Sequence, residues 1–432
     1  MAKNQQKPMF YGWVNVTILF FIYMFASGMV FYPYSVIFPA MIEDMGWARG
    51  PASAAFTLNF LLTGFLGPVL AIAIGKFGTK KILIVGLISW LISLLLLGTI
   101  TSSIVMWIFC WGILGGIGMS FGNIIPVQTT VMMWFIKKRA TAIGIVMTGA
   151  ALGGFIAQPL YTWLITKSGW RAGWLAAAFF VVLSLIIITF LKSKPEDIGQ
   201  YPDGIDPDAD NSAVEAKSKT SNIHRTNVNW TLKEVFRTKA AWFLVGYMIG
   251  FLMAFFLITS HGVLHFTDLG LSRMQAASVM SFVILGAGLA RFPMGALGDR
   301  VEPRWIISGA MFLMAVSMIG LWKAPSMGIL MAAAPCFGFS YGTLLVIQPV
   351  IIGNYYGPES FPKINGAISP FMVAITATVP IVAGIIADRT GSYDLAFMII
   401  CTIVFLSFLC ALMLKPPVQT FEISEPAEDA AV

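Results

Sequence analysis

The sequence predicts an all-α membrane protein of twelve transmembrane helices arranged as two six-helix halves. Three observations carry that prediction. The 432 residues are 58% hydrophobic and only 11% charged, with a mean hydropathy of +0.82, whereas a water-soluble domain carries about 25% charged residues to cover itself. Apolar runs of about 20 residues, the length that crosses a bilayer, recur along the whole chain. They divide six and six around the one long polar stretch.

Taken in order, the first run starts at Trp13, after Lys3 and Lys7, and extends to about residue 38. It is too long for a signal-peptide core and more spans follow, so it reads as the first helix. Spans 53–74 and 82–100 flank the basic Lys76–Lys81 loop, and only Thr101–Ser103 separates the third from span 104–133. Span 140–165 follows the basic run Lys137-Lys138-Arg139, and span 172–191 completes the first half. The second half reads 240–264, 275–297, 305–322, 326–352, 364–387 and 393–414.

These runs set the domains: 1–191 as the first half, 192–239 as a linker, 240–415 as the second half, and 416–432 as an acidic tail expected to be disordered. The linker, expected to be mostly disordered, holds Pro195, Pro202 and Asp206-Pro207 among mixed charges, a composition that cannot bury enough apolar surface to fold alone. Thr231–Arg237 is the part expected to form a short amphipathic helix. If both termini are cytoplasmic, cytoplasmic segments hold 20 of the 27 Lys and Arg, and outer loops hold six. Excess cytoplasmic Lys and Arg orients a multi-pass protein, so both termini are expected inside. A bacterial inner membrane is the expected setting.

An internal repeat supports the two halves. The basic loops Lys76–Lys80 and Arg300–Arg304 are offset by 224, the pairs Trp134-Phe135 and Tyr355-Tyr356 by 221, and Gly169 and Gly391 by 222. The four cysteines, Cys110, Cys336, Cys401 and Cys410, all fall inside apolar runs without metal-ligand spacing, and read as small packing residues. The glycine runs Gly112–Gly118 and Gly149–Gly154 follow no strand, so they are not nucleotide-binding loops. Small residues of this kind let transmembrane helices pack closely. No cofactor and no nucleic-acid partner is expected.

Arg291 is the most informative residue. It lies inside span 8 with no acidic residue in that span, and burying it near the bilayer centre costs roughly 2.5–3.5 kcal/mol on insertion scales. Its planar fork of donors matches a carboxylate and keeps its charge. Pairing with backbone carbonyls or another helix is the alternative. Asn123 and Gln128 in span 4, Tyr341 in span 10, and Tyr32 and Tyr34 in span 1 could line a central cavity or bond between helices. Histidine is the side chain whose ordinary charge change falls in the physiological range, which makes His261 a candidate for proton coupling, with a structural bond at the outer end of span 7 as the alternative.

Two six-helix halves with basic loops at 2–3 and 8–9 resemble the major facilitator superfamily. Gly295-Ala296-Leu297-Gly298-Asp299-Arg300 is similar to that family's loop signature, which implies that Asp299 and Arg300 gate the cytoplasmic side. The first-half copy departs from it, with Gly75 where the Asp would stand and Ala71 for the first Gly. Trp134-Phe135-Ile136-Lys137-Lys138-Arg139, the small-residue helix after it, and Tyr11-Gly12-Trp13 resemble the monocarboxylate transporter branch. The segment His261…Thr267-Asp268-Leu269-Gly270-Leu271-Ser272 is similar to bacterial relatives that include oxalate–formate exchangers.

The branch resemblance implies a substrate-carboxylate role for Arg291, within Ala290-Arg291-Phe292-Pro293, and makes Asp268 a second candidate for proton linkage. The expected activity is symport of a small monocarboxylate with a proton by a monomer in the bilayer. Organic-anion exchange is the alternative; a membrane enzyme or sensor is a remote one. One membrane cation favours a monoanion over a dicarboxylate, since each desolvated charge needs a partner.

Overall fold

The computed structural model describes residues 10–205, 223–226, 228–324 and 326–418. Among these residues the regular structure is helical and contains no strand. α1 is Gly12–Met45, and α2 is Pro51–Phe65 with Gly67–Phe77, bent by 52° at the junction. α3 is Thr79–Thr99 and α4 is Ile104–Trp134. The next helical stretch, Arg139–Phe190, has 52 residues. At 1.5 Å per residue it would be about 78 Å long, against a hydrocarbon core of about 30 Å.

It is therefore two spans. Gly169 interrupts it with φ 77° and ψ 171°, leaving α5 as 139–168 and α6 as 170–190. The second half comprises α7 Lys239–Asp268, α8 Arg273–Gly298, α9 Pro303–Lys323, α10 Met327–Tyr356, α11 Ser360–Thr390 and α12 Asp394–Met413. Among the described residues the total is twelve spans, six on each side of the linker.

The turn between α11 and α12 is made by Gly391 at φ 73°, the counterpart of Gly169. Nothing lies within 4 Å of a Cβ built on either glycine, so a side chain there meets only backbone strain, about 1–2 kcal/mol. Gly169→Ala and Gly391→Ala are each expected to lower the thermal unfolding midpoint while leaving transport intact. Midpoints equal to wild type would contradict left-handed turns at these positions.

Small residues set the helix packing within the first half. A Cβ on Gly28 of α1 would stand 2.6 Å from the Gly153 Cα of α5, so those two backbones touch. The α1 turns around Gly28 are wide, with π-helical bonding over Met24–Phe31, a feature that often marks functional stretches of helix.

The two halves meet closely at the end of the bundle that carries the linker. A Cβ on Gly144 of α5 would lie 2.5 Å from the Arg291 carbonyl oxygen, and one on Gly295 of α8 would lie 2.6 Å from the Ala140 carbonyl oxygen. On the other flank, Ser369 Oγ of α11 donates to the Gly64 carbonyl of α2 at 2.8 Å. Farther from the linker, Phe60 of α2 meets Phe256 of α7 edge-to-face, with centroids 6.0 Å apart.

The described ends of the linker are packed, one on each half. Trp134 Nε1 donates to the Lys192 carbonyl at 3.1 Å, and the backbone N–H groups of Ile136 and Lys137 donate to Asp203 at 3.2 and 2.8 Å. In the second half, the Trp230 backbone N–H donates to the Tyr356 carbonyl at 3.0 Å, and Ser360 Oγ donates to the Trp230 carbonyl at 2.7 Å. Each end thus covers the junction between the fourth and fifth helices of its half. Leu232–Arg237 forms a helix capped by Thr231 and Glu234. Residues 206–222 and the tail beyond 418 lie outside the described residues.

Candidate functional site

Arg291 lies seven residues before the end of α8, about 10 Å from the linker side by helical rise. It is 5% exposed. Its Nη1 donates to the Met147 carbonyl of α5 at 2.7 Å, which ties the second half to the first. Its Nε is buried without a hydrogen-bond partner. Among the described residues no carboxylate pairs with it; its electrostatic neighbours are the phenols of Tyr32, Tyr23 and Tyr341. An arginine has five N–H donors, so a buried guanidinium in this setting offers free donors to an incoming anion.

Four helices from both halves bring these groups together: α1 with Tyr23 and Tyr32, α5 with Met147, α8 with Arg291, and α10 with Tyr341. Tyr341 stacks on Phe255 of α7 at 3.8 Å between centroids and 6° between planes, which fixes its ring. Gln128 of α4 is buried and its Nε2 contacts the Met147 sulfur at 3.6 Å. It reaches Arg291 only through that methionine. Tyr23, 5% exposed, was not among the sequence candidates. Its position nine residues before Tyr32 hides that both face one arginine, because the wide α1 turns between them alter the helical phase.

The other two lining candidates lie elsewhere. Tyr34 stacks with Phe38 at 4.9 Å and with Trp111 at 5.1 Å, in an aromatic cluster of the first half. Asn123 sits at the break in α4 and donates to the Met119 sulfur at 3.0 Å. His261 has both ring nitrogens engaged, Nδ1 with the Tyr393 hydroxyl at 3.1 Å and Nε2 with the Pro380 carbonyl at 2.9 Å. It thereby joins α7 to α11 and to the start of α12. Asp268 is exposed at the end of α7.

The gating candidates separate. Asp299 accepts from the backbone N–H groups of Ala140 and Thr141 at 2.8 and 2.9 Å, so a second-half carboxylate caps the first turn of α5. This charge-to-helix contact joins the two halves at the linker end. Burial pushes the Asp299 carboxyl above its usual range, and the hydrogen bonds from Thr141 and Ala140 oppose that shift. Arg300 is exposed in the following turn.

The buried cation beside the clamp is Arg139, 3% exposed, whose Nη1 donates to Asn354 Oδ1 at 2.8 Å across the halves. In the sequence it figured only as part of the basic run Lys137-Lys138-Arg139 before span 5. At the first-half counterpart, Gly75 borders a cavity of about 170 Å³ and makes no clamp. Asp299→Ala is expected to shift the balance toward linker-side opening by about fivefold, the worth of one cap of ~1 kcal/mol. The readout is thiol labelling of Ile347→Cys, a position buried beside Gly298, in a chain freed of its native cysteines. Unchanged labelling would contradict the clamp.

The sequence matches the Major Facilitator Superfamily profile over residues 17–272 and 263–431. The chain belongs to the Major Facilitator Superfamily. This facilitator is 27% identical to "Monocarboxylate transporter 12" of Rattus norvegicus over 71% of its own length and 65% of that protein. It is 22% identical to "Monocarboxylate transporter 2" of Homo sapiens over 90% of its length and 82% of that protein. Among solved structures it is similar to the human organic anion transporter MFSD10, with TM-score 0.68, 15% identity, and coverage of 93% of this chain and 99% of that one. It is also similar to the E. coli fucose:proton symporter, with TM-score 0.65, 14% identity, and coverage of 93% and 98%. The structural likenesses establish the shared fold, and the sequence match establishes that the facilitator is a multi-pass membrane protein of a transporter family.

Proposed function

We propose that this facilitator is a proton-coupled secondary transporter of small monocarboxylates, with Arg291 as the group that holds the substrate carboxylate. One observation carries the proposal: a buried guanidinium, between the halves, with an unpartnered Nε and no protein carboxylate beside it. Stability alone would place an aliphatic residue there, because an uncompensated charge in the membrane is costly. A substrate carboxylate supplies the missing counter-charge. Similarity to monocarboxylate transporters supports the same class of acid.

Alternating access follows from the clamp. With Asp299 on the first turn of α5 the linker end is shut, and rocking of one half against the other would break that contact and carry the bound acid across. The linker side is the cytoplasmic one by the Lys and Arg distribution, which puts both termini inside a plasma or bacterial inner membrane. A monoanion with a proton crosses without moving net charge, so the membrane potential does not oppose it. His261 is the proposed proton-linked residue, because its two bonds join three helices of the second half. Arg291 holds the anion and is not asked to titrate.

Symport and anion exchange are separated by proteoliposomes carrying an inward proton gradient and no internal anion. Symport predicts concentrative uptake of labelled pyruvate that ceases when the gradient is collapsed. Uptake that requires an internal anion and ignores the gradient would overturn it in favour of exchange. His261→Gln is expected to abolish concentrative uptake while pyruvate–pyruvate exchange persists. Retained concentrative uptake would remove His261 from the coupling path.

A further inference from the structure

A series of ring contacts links two tyrosines that are electrostatic neighbours of Arg291, Tyr32 and Tyr341. From Tyr32 it passes to Phe31 at 6.1 Å between centroids, to Phe60 at 6.0 Å, and across the halves to Phe256 at 6.0 Å. It continues to Phe255 at 6.2 Å and to Tyr341 at 3.8 Å, and Arg291 stands between the two ends and closes the circuit. The circuit draws on α1 and α2 of the first half and α7, α10 and α8 of the second. Phe31, Phe60, Phe255 and Phe256 are each half-buried.

We infer that the preferred substrates are monocarboxylates with an aromatic or other bulky apolar body, with the carboxylate on Arg291 and the body on the Phe31, Phe60, Phe255 and Phe256 rings. This rests on the proposed carboxylate role of Arg291 and goes beyond it, because that role alone would be filled by an acid as small as lactate. The chemistry of the circuit separates the two ends of the ligand. Its charge is at one arginine, with the hydroxyls of three tyrosines beside that arginine. Its far side is built of phenyl rings, which cannot hydrogen-bond a second carboxylate, a sugar or an amine. Aromatic faces and edges reward another ring placed against them, whereas the single methyl of lactate would leave most of that surface without a partner.

The two half-crossing parts of the circuit add a consequence for coupling. Phe60 and Phe256 belong to different halves, so a ring seated against both makes contacts that depend on how the halves sit. A bulky body therefore reads the conformation at the aromatic side while its carboxylate reads it at Arg291. A very small acid engages only the arginine.

The test is ligand-induced thermal stabilisation and competition for labelled lactate, using full-length purified protein with lactate, phenyllactate and phenyllactamide. Phenyllactate is expected to bind on the order of tenfold more tightly than lactate, the worth of one good ring contact. Phenyllactamide, which lacks the charge, is expected not to compete. Phe60→Leu and Phe256→Leu keep an apolar side chain and are expected to erase most of the phenyllactate preference, read in each variant as the ratio of phenyllactate to lactate affinity. Wild-type protein that binds lactate but shows no preference for phenyllactate overturns the aromatic-body inference and leaves the carboxylate site standing. Preference unchanged in both leucine variants also overturns it. Binding of none of these acids defeats the carboxylate reading and this inference with it.

Discussion

Arg291→Lys is expected to lower kcat/KM for monocarboxylate uptake at least tenfold, and Arg291→Ala about a hundredfold or more. The reasoning is geometric. Nη1 already donates to the Met147 carbonyl at 2.7 Å, so the substrate is left the Nε edge, which is buried and unpartnered. An arginine can hold its helix contact with one donor and the carboxylate with the others because its donors are arranged in a rigid fork. A lysine has three donors on a single nitrogen and no fixed fork, so it cannot present the same paired edge to the carboxylate while it holds Met147. Losing a charge-assisted hydrogen bond costs about 1.5–3 kcal/mol, a factor of about ten to a hundred in affinity.

The same substitution separates binding from folding. Lysine keeps the positive charge, so a variant that reaches the membrane in normal amount yet fails to transport indicts the fork. Full activity of Arg291→Lys, measured as initial uptake rates per folded protein, would mean that Arg291 serves the α5–α8 contact and not the substrate.

Gly144→Val is expected to be nearly as damaging, although residue 144 belongs to α5 and offers no group to a substrate. A Cβ there would lie 2.5 Å from the Arg291 carbonyl oxygen and 3.2 Å from the Gly295 Cα. Both obstacles are backbone, so neither can swing aside, and a branched side chain would wedge α5 from α8. Overpacking of this sort costs roughly 1–3 kcal/mol, and it falls only on the conformation in which the linker end is shut. The equilibrium should move toward linker-side opening by about 5- to 150-fold. Thiol labelling of Ile347→Cys is expected to accelerate in Gly144→Val while substrate cycling slows severely. A closed labelling pattern with normal transport would contradict the close approach of the two halves at these glycines.

The spans were legible because crossing a bilayer leaves a coarse mark, about 20 apolar residues in a row. Even the thin Thr101–Ser103 separation holds, since α3 ends at Thr99 and α4 begins at Ile104. Gly169 and Gly391 were legible as a repeated pair because both turns need a left-handed residue. The bend in α2 had a signal in Gly64, Gly67 and Pro68 that hydropathy does not weigh. The order at the two linker ends was hidden because those contacts run to residues far away in sequence, as from Asp203 to Ile136.

The site was partly legible. A lone arginine in an apolar span is conspicuous because it is expensive, and Tyr32 and Tyr341 do stand beside it. Periodicity cannot tell which face of a fully apolar helix looks inward, so Tyr34, two residues from Tyr32, was placed with it although it stacks on Trp111 instead. For the same reason Arg139 was lost among basic neighbours, while the exposed Arg300 was favoured. The aromatic circuit could not be read at all, since phenylalanine is as common toward lipid as toward a cavity.

The central claim is that Arg291 holds the carboxylate of a proton-coupled substrate. Its most direct test is proton-gradient-driven uptake of a labelled monocarboxylate, lactate beside phenyllactate, into proteoliposomes of wild type and Arg291→Ala. The account predicts saturable, gradient-dependent uptake in wild type and none above empty vesicles in the variant. Equal uptake by the two proteins would contradict it.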